Sequence, residues 1–234
     1  MHRFLVPNWA EQADGRIALP DAERHHARVV RLRDGEEIEM FDGRGVSCRA
    51  RFELADGDAR ARVLERLPDN LRESRIAIAL AVAPLKRDRF DWLVEKATEL
   101  GAARITAFSA ERAVSRPSAR RRERWAQIAV AAAKQCGRTI APRIDEVDDL
   151  AAVLAGGHRH PILLHESGPR QPLITALAPA ADEVLLLIGP EGGFTNAELQ
   201  LARAASVPIA SLGDRVLRAE TAALAALACV GSRE

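Results

Sequence analysis

Near its carboxyl-terminal end the chain carries an apolar run that stops at a glycine-rich loop, and this arrangement constrains the fold more than any other feature. Residues 184–188 are all apolar, which is typical of a strand buried on both faces of a parallel sheet. Residues 189–193 read G-P-E-G-G and cannot continue the strand, because proline lacks a hydrogen-bond donor and glycine adopts backbone conformations closed to other residues. Thr195 and Glu198 have the spacing of a capping box. The sequence therefore predicts a strand, a loop and a helix in succession.

The same arrangement follows a second time. Residues 207–212 form another strand-like run, Gly213 interrupts it, and a helical pattern covers residues 219–230. In open α/β sheets, ligands bind beyond the carboxyl ends of the parallel strands. One glycine loop is as typical of an ordinary strand-to-helix turn as of a ligand site, but two of them in one short region favour a binding floor made of backbone groups.

Strand and helix patterns also alternate over the preceding part of the chain. Residues 76–83 predict a strand, residues 88–100 an amphipathic helix, and residues 104–108 the next strand. A third strand-end loop, L-H-E-S-G, follows the apolar run that starts at residue 161. The alternation predicts an α/β domain with a parallel sheet over residues 73–234.

The first 70 residues predict a different architecture. Short strand-like stretches are separated by glycine-containing turns, and one helix candidate, with Asp21 as its N-cap, interrupts them. Many short strands with glycine turns are typical of a small β-barrel. The strands are predicted over residues 16–19, 36–41, 46–54 and 59–67, and the helix over residues 21–32.

Composition is that of a soluble globular protein, since 47% of the 234 residues are hydrophobic and 29% are charged. No apolar run is long enough to span a bilayer and the N-terminus lacks a signal-peptide core, so we expect a cytoplasmic protein with no membrane partner. Cys48, Cys136 and Cys229 are far apart and odd in number, which indicates reduced thiols. Because the net charge is only +1, any binding to nucleic acid must come from local patches.

One such patch is evident between residues 111 and 143, where nine basic side chains face two acidic ones. A charge surplus on a predicted helix of an otherwise neutral protein favours RNA contact, although a solvated helix face would show the same composition. The nine are Arg112, Arg116, Arg120, Arg121, Arg122, Arg124, Lys134, Arg138 and Arg143.

The two histidine pairs do not predict a metal site. His25 and His26 lie in a helical pattern with no third ligand nearby, and His158 and His160 lie in a loop without a cluster of carboxylates or cysteines. We therefore expect no bound metal.

Two stretches of the glycine-loop region carry a resemblance to a known family. L-I-G-P-E-G-G-F-T-N-A-E-L, followed by L-G-D-R-V-L-R-A-E-T-A, closely resembles the end of the RsmE family, the small-subunit rRNA uridine-N3 methyltransferases of the SPOUT class. Upstream, H-H-A-R-V-V-R-L-R-D-G-E-E-I-E-M-F-D-G-R-G resembles the family's PUA-like domain, and P-L-K-R-D-R-F-D-W-L-V-E-K-A-T-E-L-G-A resembles the first strand and helix of its catalytic domain. The resemblance covers nearly the whole chain.

The resemblance implies an RNA-gripping PUA-like β-barrel over residues 1–70 and a SPOUT-type methyltransferase domain with a C-terminal trefoil knot over residues 73–234. Knots are very rare, and the knot rests on the resemblance alone. The family also implies S-adenosyl-L-methionine as cofactor, N3 of a uridine near the decoding site of 16S rRNA in the small ribosomal subunit as target, and a homodimer.

Backbone groups of the three strand-end loops are expected to hold the cofactor, because side chains would block its close approach. The expected cofactor contacts are Leu164, His165, Glu166, Gly189, Pro190, Glu191, Gly192, Gly193, Leu212, Gly213, Val216, Leu217, Arg218, Thr221 and Ala222. Phosphate contacts are expected from basic residues of the PUA-like and catalytic stretches and from two positions that match the family helix. These RNA-binding candidates are Arg28, Arg31, Arg33, Lys86, Arg87, Arg112, Arg116, Gln135 and Arg138.

Catalysis is expected from the L-R-A-E-T stretch. Uracil N3 carries a proton at neutral pH, so the site needs a base or a cation that stabilises the uracil anion. We expect Arg218 to stabilise the developing negative oxygen. For Glu220 three roles stay open: a general base, a partner that holds Arg218, or a favourable charge at the start of the last helix.

The chain departs from the family pattern at two positions, and three alternative functions stay open. Ala131 and Lys134 stand where many relatives carry two glutamates, so no acid–base role is assigned to those positions. The alternatives are a SPOUT methyltransferase acting on another RNA such as tRNA, a non-catalytic RNA-binding protein, and a small-molecule enzyme. Dinucleotide and triphosphate motifs are absent from the sequence, and a small-molecule enzyme would leave the basic surplus unexplained.

Overall fold

The computed structural model describes residues 1–9, 15–55, 58–70, 72–113, 119–167, 170–179 and 181–233 of the chain. The chain forms two compact units. The first consists of Met1–Glu73 together with Ala133–Ala141, and the second of Ser74–Ala132 together with Pro142–Glu234.

The first unit contains a five-stranded sheet and one helix. In chain order these are β1 (His2–Leu5), β2 (Arg16–Ala18), α1 (Asp21–Val29), β3 (Glu37–Phe41), β4 (Ser47–Ala55) and β5 (Asp58–Arg66). The strand order is β1-β3-β4-β5-β2; β1 pairs with β3 in parallel and the other pairs are antiparallel.

All five strands of this sheet bury side chains in one core. Phe4 of β1, Ile17 of β2, Met40 of β3, Phe52 of β4 and Ala61 of β5 belong to a single apolar cluster. Along β5 the buried alanines alternate with exposed arginines, as the period of two in a strand requires. The sheet therefore curls around one core, as expected for a PUA-like domain.

The predicted helix of this unit differs from the observed one at both ends. Asp21 is not its N-cap, which is Pro20, and no side chain caps the helix start. The helix ends at Val29, because Arg31 has a positive φ of 55° that no α-helix accommodates. Strand β1 was not predicted, since four residues that pair with a distant strand carry little local signal.

The second unit contains a seven-stranded sheet in which all the pairs are parallel. Its strands are β6 (Ala77–Val82), β7 (Ala102–Phe108), β8 (Arg143–Val147), β9 (Pro161–Leu164), β10 (Gln171–Pro172), β11 (Glu183–Ile188) and β12 (Ile209–Ser211), in the order β10-β12-β9-β11-β6-β7-β8. The helices are α2 (Arg87–Glu99), α3 (Ala119–Cys136), α4 (Leu150–Ala155), α5 (Leu173–Ala176), α6 (Asn196–Ala204) and α7 (Ala219–Gly231); the last four residues of α3 belong to the first unit.

Strand β11 confirms the prediction of a strand buried on both faces. Val184, Leu186 and Ile188 pack into one apolar cluster, whereas Leu185 and Leu187 pack into another. The capping box is also present, because the Thr195 hydroxyl accepts from the Glu198 amide and the Glu198 carboxylate accepts from the Thr195 amide. Strand β8 was not predicted: it lies at one end of the sheet and is only partly buried, so it lacks an apolar run.

The three cysteines are free thiols in different environments. Cys48 is completely buried in the first unit, and burial raises the pKa of its thiol to about 12. Cys136 and Cys229 are partly exposed.

Cys48 should therefore resist alkylation in the native protein. A pKa near 12 leaves a thiolate fraction on the order of 10⁻⁴ at pH 8, and burial excludes the reagent as well. Mass spectrometry after brief iodoacetamide treatment should find label on Cys136 and Cys229 first. Equal labelling of all three thiols in the folded protein would contradict the buried position of Cys48.

Neither a membrane span nor a metal cluster is found where the structure describes the chain. No helix in those ranges has the length and apolar character needed to cross a bilayer. No three His, Cys, Asp or Glu side chains of the described residues converge as ligands would.

His26 packs against the Phe4 ring, and burial, followed by the charge of Lys134, lowers the pKa of its imidazole.

Candidate functional site

A cavity of about 260 Å³ opens at the carboxyl edge of the seven-stranded sheet. Strands β12, β9 and β11 are neighbours there, and the parallel registers align Ala210 with Leu164 and Leu164 with Ile188. The three strands therefore end at one level, and the loops that follow them meet. This is the position at which open α/β sheets bind ligands.

The first loop, after β11, approaches the rest of the site so closely that side chains would not fit. A Cβ on Gly189 would lie 3.0 Å from the ring of Phe194, which is itself buried. Gly193 has a positive φ of 69°, and a Cβ there would lie 3.2 Å from Glu166 Oε1 of the neighbouring loop. Arg112 donates from Nη1 to the carbonyl oxygen of Gly192 at 2.9 Å. The loop therefore presents its backbone to the cavity, and the side chain of Arg112 fixes its position.

Replacing Gly189 by alanine should weaken binding of the cavity's ligand about tenfold, because the added methyl group overpacks the site against Phe194. Phe194 cannot turn away easily, since it is stacked with Phe108 at 6.4 Å. Calorimetric titration with S-adenosylmethionine measures the change. Gly231→Ala is the matched control, because its φ is not positive, a Cβ there would meet only Ile78 Cδ1 at 3.8 Å, and it lies at the opposite end of α7 from the cavity. Equal affinity of the Gly189 variant and the wild-type protein would refute the steric argument.

The second loop, after β9, is tied to the third strand. The His165 amide donates to the Ala210 carbonyl oxygen at 2.9 Å, which extends the parallel pairing by one residue. The His165 ring then lies between two neighbours, with Nε2 3.2 Å from Ser167 Oγ and Nδ1 3.2 Å from Glu166 Oε2. Its side chain is nearly buried and lines the cavity.

The third loop runs from the end of β12 to the start of α7. Gly213 has a φ of 102°, a conformation that favours glycine. Arg218 is the N-cap of α7 with an extended backbone, and its carbonyl oxygen accepts from the Ala222 amide at 2.8 Å. Arg218, Ala219 and Ala222 line the cavity, so the first turn of α7 forms one of its walls.

Thirteen of the fifteen residues expected to hold the cofactor line this cavity. Gly192 does not line it, because its carbonyl oxygen faces Arg112, and Thr221 does not line it either. Five lining residues were not singled out from the sequence: Ile188, Phe194, Ser211, Arg215 and Ala219. Each is adjacent in sequence to a predicted cofactor contact. The sequence therefore indicated the loops, but not how far the lining of the cavity extends along the chain on either side of them.

The two catalytic candidates occupy different environments. Arg218 is exposed, lines the cavity and forms no ion pair within the described ranges. Glu220 is 6% exposed, does not line the cavity, and has Oε1 3.8 Å from Nε of Arg89. Glu220 therefore faces Arg89 and not Arg218, so the role of holding Arg218 is wrong. Its side chain makes no capping hydrogen bond, but Glu220 lies in the first turn of α7, where a negative charge is favourable.

Part of the basic surplus predicted between residues 111 and 143 is paired with acidic side chains. Arg124 pairs with Asp91 at 2.8 Å, Arg143 with Asp145 at 2.8 Å, and Lys134 with the buried Glu23 of α1. Arg120 and Arg122 are exposed and have no ion-pair partner in the part of the chain that the structure describes.

Arg138 needs a correction as an RNA contact. Its side chain is 5% exposed and donates to Glu73 Oε2 from Nε at 2.9 Å and from Nη2 at 2.7 Å. A buried guanidinium that is already paired inside its unit is not available to a phosphate. Arg112 is also engaged, through its bond to the Gly192 carbonyl oxygen.

The other RNA-binding candidates lie as follows. Arg28, Arg31 and Arg33 of the first unit are exposed and without ion-pair partners among the described residues, and Gln135 and Lys86 are exposed. Arg116 lies outside the described residues. Arg87 is the first residue of α2, and its side chain is not described.

Comparison with known proteins identifies what the chain is similar to. Residues 72–231 match the model of an RNA methyltransferase domain, and residues 19–60 match that of an RNA methyltransferase PUA domain. The ribosomal RNA small subunit methyltransferase E of Synechocystis is 32% identical over 92% of this chain and 73% of that protein. The Bacillus subtilis protein of the same name is 28% identical over 98% of this chain and 96% of its own length.

Solved structures agree over nearly the full length. The ribosomal RNA small subunit methyltransferase E of Neisseria gonorrhoeae, bound to S-adenosyl methionine, superposes with a TM-score of 0.89 at 30% identity, covering 99% of this chain and 97% of that one. A methyltransferase from Legionella pneumophila in complex with the same cofactor superposes with a TM-score of 0.87 at 31% identity, covering 98% and 96%.

Proposed function

Because the chain belongs to the family of the ribosomal RNA small subunit methyltransferase E proteins, we propose that it methylates 16S rRNA of the small ribosomal subunit at N3 of one uridine, with S-adenosyl-L-methionine as methyl donor. The observation that carries the proposal is the cavity between three strand-end loops, whose glycines leave room that a Cβ would fill. The target uridine near the decoding site is the finer part of the proposal.

The cavity fits the proposed cofactor because of the kind of surface it offers. Backbone groups of Leu164–Glu166, of Gly189–Gly193 and of Leu212–Leu217 would receive adenine and ribose by hydrogen bonds, while the apolar wall contains Ile188 and Phe194. When bound, S-adenosylmethionine supplies an electrophilic methyl group on a sulfonium. The loops hold the donor in position and exclude water, which accounts for much of the rate enhancement in such a transfer.

Arg218 is the group that we propose for the chemistry at the uracil. Loss of the N3 proton leaves negative charge on the uracil oxygens, and a guanidinium at the cavity stabilises that charge in the transition state. Arg218 is suited to this, because it lines the cavity and no carboxylate of the described residues neutralises it. Glu220 lies behind the cavity wall, beside Arg89.

RNA contact is proposed for the exposed arginines that have no acid partner. Arg28, Arg31 and Arg33 of the PUA-like unit, with Lys86, Arg120 and Arg122 of the catalytic unit, are exposed cations that could contact phosphates. Arg138 is no longer included, because it is buried against Glu73. The domain roles follow: residues 1–70 bind RNA, and residues 73–234 carry the transferase with its C-terminal knot.

A homodimer is proposed from the outer face of α7. Thr221, Ala225 and Ala228 are exposed, and their spacing places them on one side of the helix, where small residues permit close packing. Helix α2 packs beside α7 and exposes 45% of Trp92. Light scattering should give about twice the 25.5 kDa mass of the chain. A monomeric mass at micromolar concentration would refute the dimer.

We also propose a cytoplasmic, metal-independent enzyme.

The experiment that tests the function is a methyl-transfer assay. Purified protein is incubated with labelled S-adenosylmethionine and small ribosomal subunits from a strain that lacks this gene, and the RNA is digested to nucleosides for mass spectrometry. Label in N3-methyluridine is the expected result. Label in another nucleoside, or only when tRNA is supplied, would overturn the target. Binding to RNA without binding of the methyl donor would favour a non-catalytic RNA-binding protein.

A further inference from the structure

One arginine of α2 reaches the cofactor loop and the buried glutamate of α7 at the same time. Nη1 of Arg89 lies 3.4 Å from Glu191 Oε1, and Nε of the same guanidinium lies 3.8 Å from Glu220 Oε1. Glu191 belongs to the first loop and lines the cavity, whereas Glu220 does not line it. Arg89 therefore joins a residue in the cavity to one behind its wall.

The parallel sheet explains why Arg89 is at this place. Strand β6 pairs with β11, and Val82 is aligned with Ile188, so the connections that follow the two strands leave the sheet side by side. Arg89 lies in the first turn of α2, which follows β6, and Glu191 lies in the loop after β11. Helix α7, which carries Glu220, packs against α2.

Charge balance makes the contact more than an incidental surface pair. Glu220 is 6% exposed, and its Oε2 has no hydrogen-bond partner among the described residues. A buried carboxylate without a neighbouring cation is costly. Arg89 is the cation that the structure places beside it, and the same guanidinium also engages Glu191.

We propose that Arg89 is a positioning residue for the cofactor site, which holds Glu191 of the first loop against the start of α7. The inference rests on the proposed function, because its ligand is the methyl donor. Without Arg89, the first loop loses its tie to α2, and Glu220 loses its counter-charge. The loop is then held by the Arg112 bond to the Gly192 carbonyl oxygen, which does not restrain the Glu191 side chain.

The test is a double-mutant cycle on cofactor affinity, with calorimetry as the readout. Arg89→Ala should weaken binding of S-adenosylmethionine about tenfold, and Glu191→Gln should weaken it as well. Because the two side chains act through one contact, the double variant should bind S-adenosylmethionine no more weakly than the single variant with the lower affinity. Arg89→Lys should recover only part of the affinity, since one ammonium cannot face both carboxylates as the guanidinium fork does.

Kinetics separates positioning from catalysis. In the methyl-transfer assay, Arg89→Ala should raise KM for the cofactor while kcat at saturating cofactor stays within about threefold. Arg159→Ala is the matched control, because it removes an exposed arginine paired with Asp182 at 3.0 Å at the opposite, amino edge of the sheet. Circular dichroism verifies that each variant is folded.

The outcomes distinguish two failures. If the wild-type protein does not bind S-adenosylmethionine, the proposed function falls and this inference falls with it. If the wild-type protein binds and the folded Arg89→Ala and Arg89→Lys variants bind equally well, only the inference is overturned. Additive losses in the double variant would also overturn it, because they would mean that Arg89 does not act through Glu191.

Discussion

Replacing Arg218 by alanine should lower kcat for methyl transfer to small ribosomal subunits at saturating cofactor by about 100-fold. Arg218 is a cation at the cavity with no counter-ion in the described ranges, so its charge is available to the uracil oxygen on which negative charge develops. Because that charge exists chiefly in the transition state, KM for the cofactor should change much less than kcat. Steady-state kinetics with labelled S-adenosylmethionine measures both.

Arg215 offers the competing assignment, since it lines the same cavity three residues earlier and is also exposed. Arg215→Ala should cost less in kcat than Arg218→Ala. If the Arg215 variant lost transfer and the Arg218 variant kept the wild-type rate, the catalytic role would belong to Arg215. Arg218→Lys is informative as well, because it keeps the charge and loses the planar fork, so a partial rate is expected.

Replacing Glu73 by alanine should destabilise the first unit by about 3–5 kcal/mol, because it removes the carboxylate that pairs with the buried guanidinium of Arg138. Glu73 also accepts from the amides of Thr139 and Ile140 at 2.8 and 2.9 Å, so both hydrogen bonds are lost as well. Amide hydrogen exchange of Glu37–Phe41, the β3 strand of that unit, should accelerate by at least about 100-fold.

Asp69→Ala is the matched control for Glu73→Ala. Asp69 pairs with Arg66 at 3.0 Å in the same unit, but both side chains are 58% exposed, and exposed pairs contribute about 0–1 kcal/mol. Exchange of the β3 amides should therefore hardly change. If Glu73→Ala and Asp69→Ala had equally small effects, the Glu73 cluster would not be important for the stability of the unit.

Local chemistry explains which parts of the fold were predictable. The strand over Glu183–Ile188 and the capping box at Thr195 depend on a few consecutive residues, and both are present as predicted. The glycine loops could likewise be predicted, because glycine at the end of a strand usually serves either a close approach of the backbone or a special φ. Strands β1 and β8 escaped prediction, since both are stabilised by partners far along the chain.

The partners of the charged side chains, in contrast, could not be predicted from the sequence. Composition alone presents Arg112, Lys134 and Arg138 as one basic surplus, but the structure places them against the Gly192 carbonyl oxygen, Glu23 and Glu73, respectively. Lys134, which departs from the family pattern, thus supplies the counter-charge of a buried glutamate of α1. No periodicity in the sequence could show these pairings, because the partners are 65 to 111 residues apart.

The sequence by itself determined most of the elements and their order, the α/β class of the second unit and the loops that line the cavity. Those features follow from hydrophobic period, caps and glycine positions, which act over a few residues. Only the tertiary structure decided which cations are free, that Glu220 faces Arg89, and that Arg89 reaches Glu191. The physical reason is that an ion pair depends on distance and burial in space, and both are set by the register of the parallel sheet.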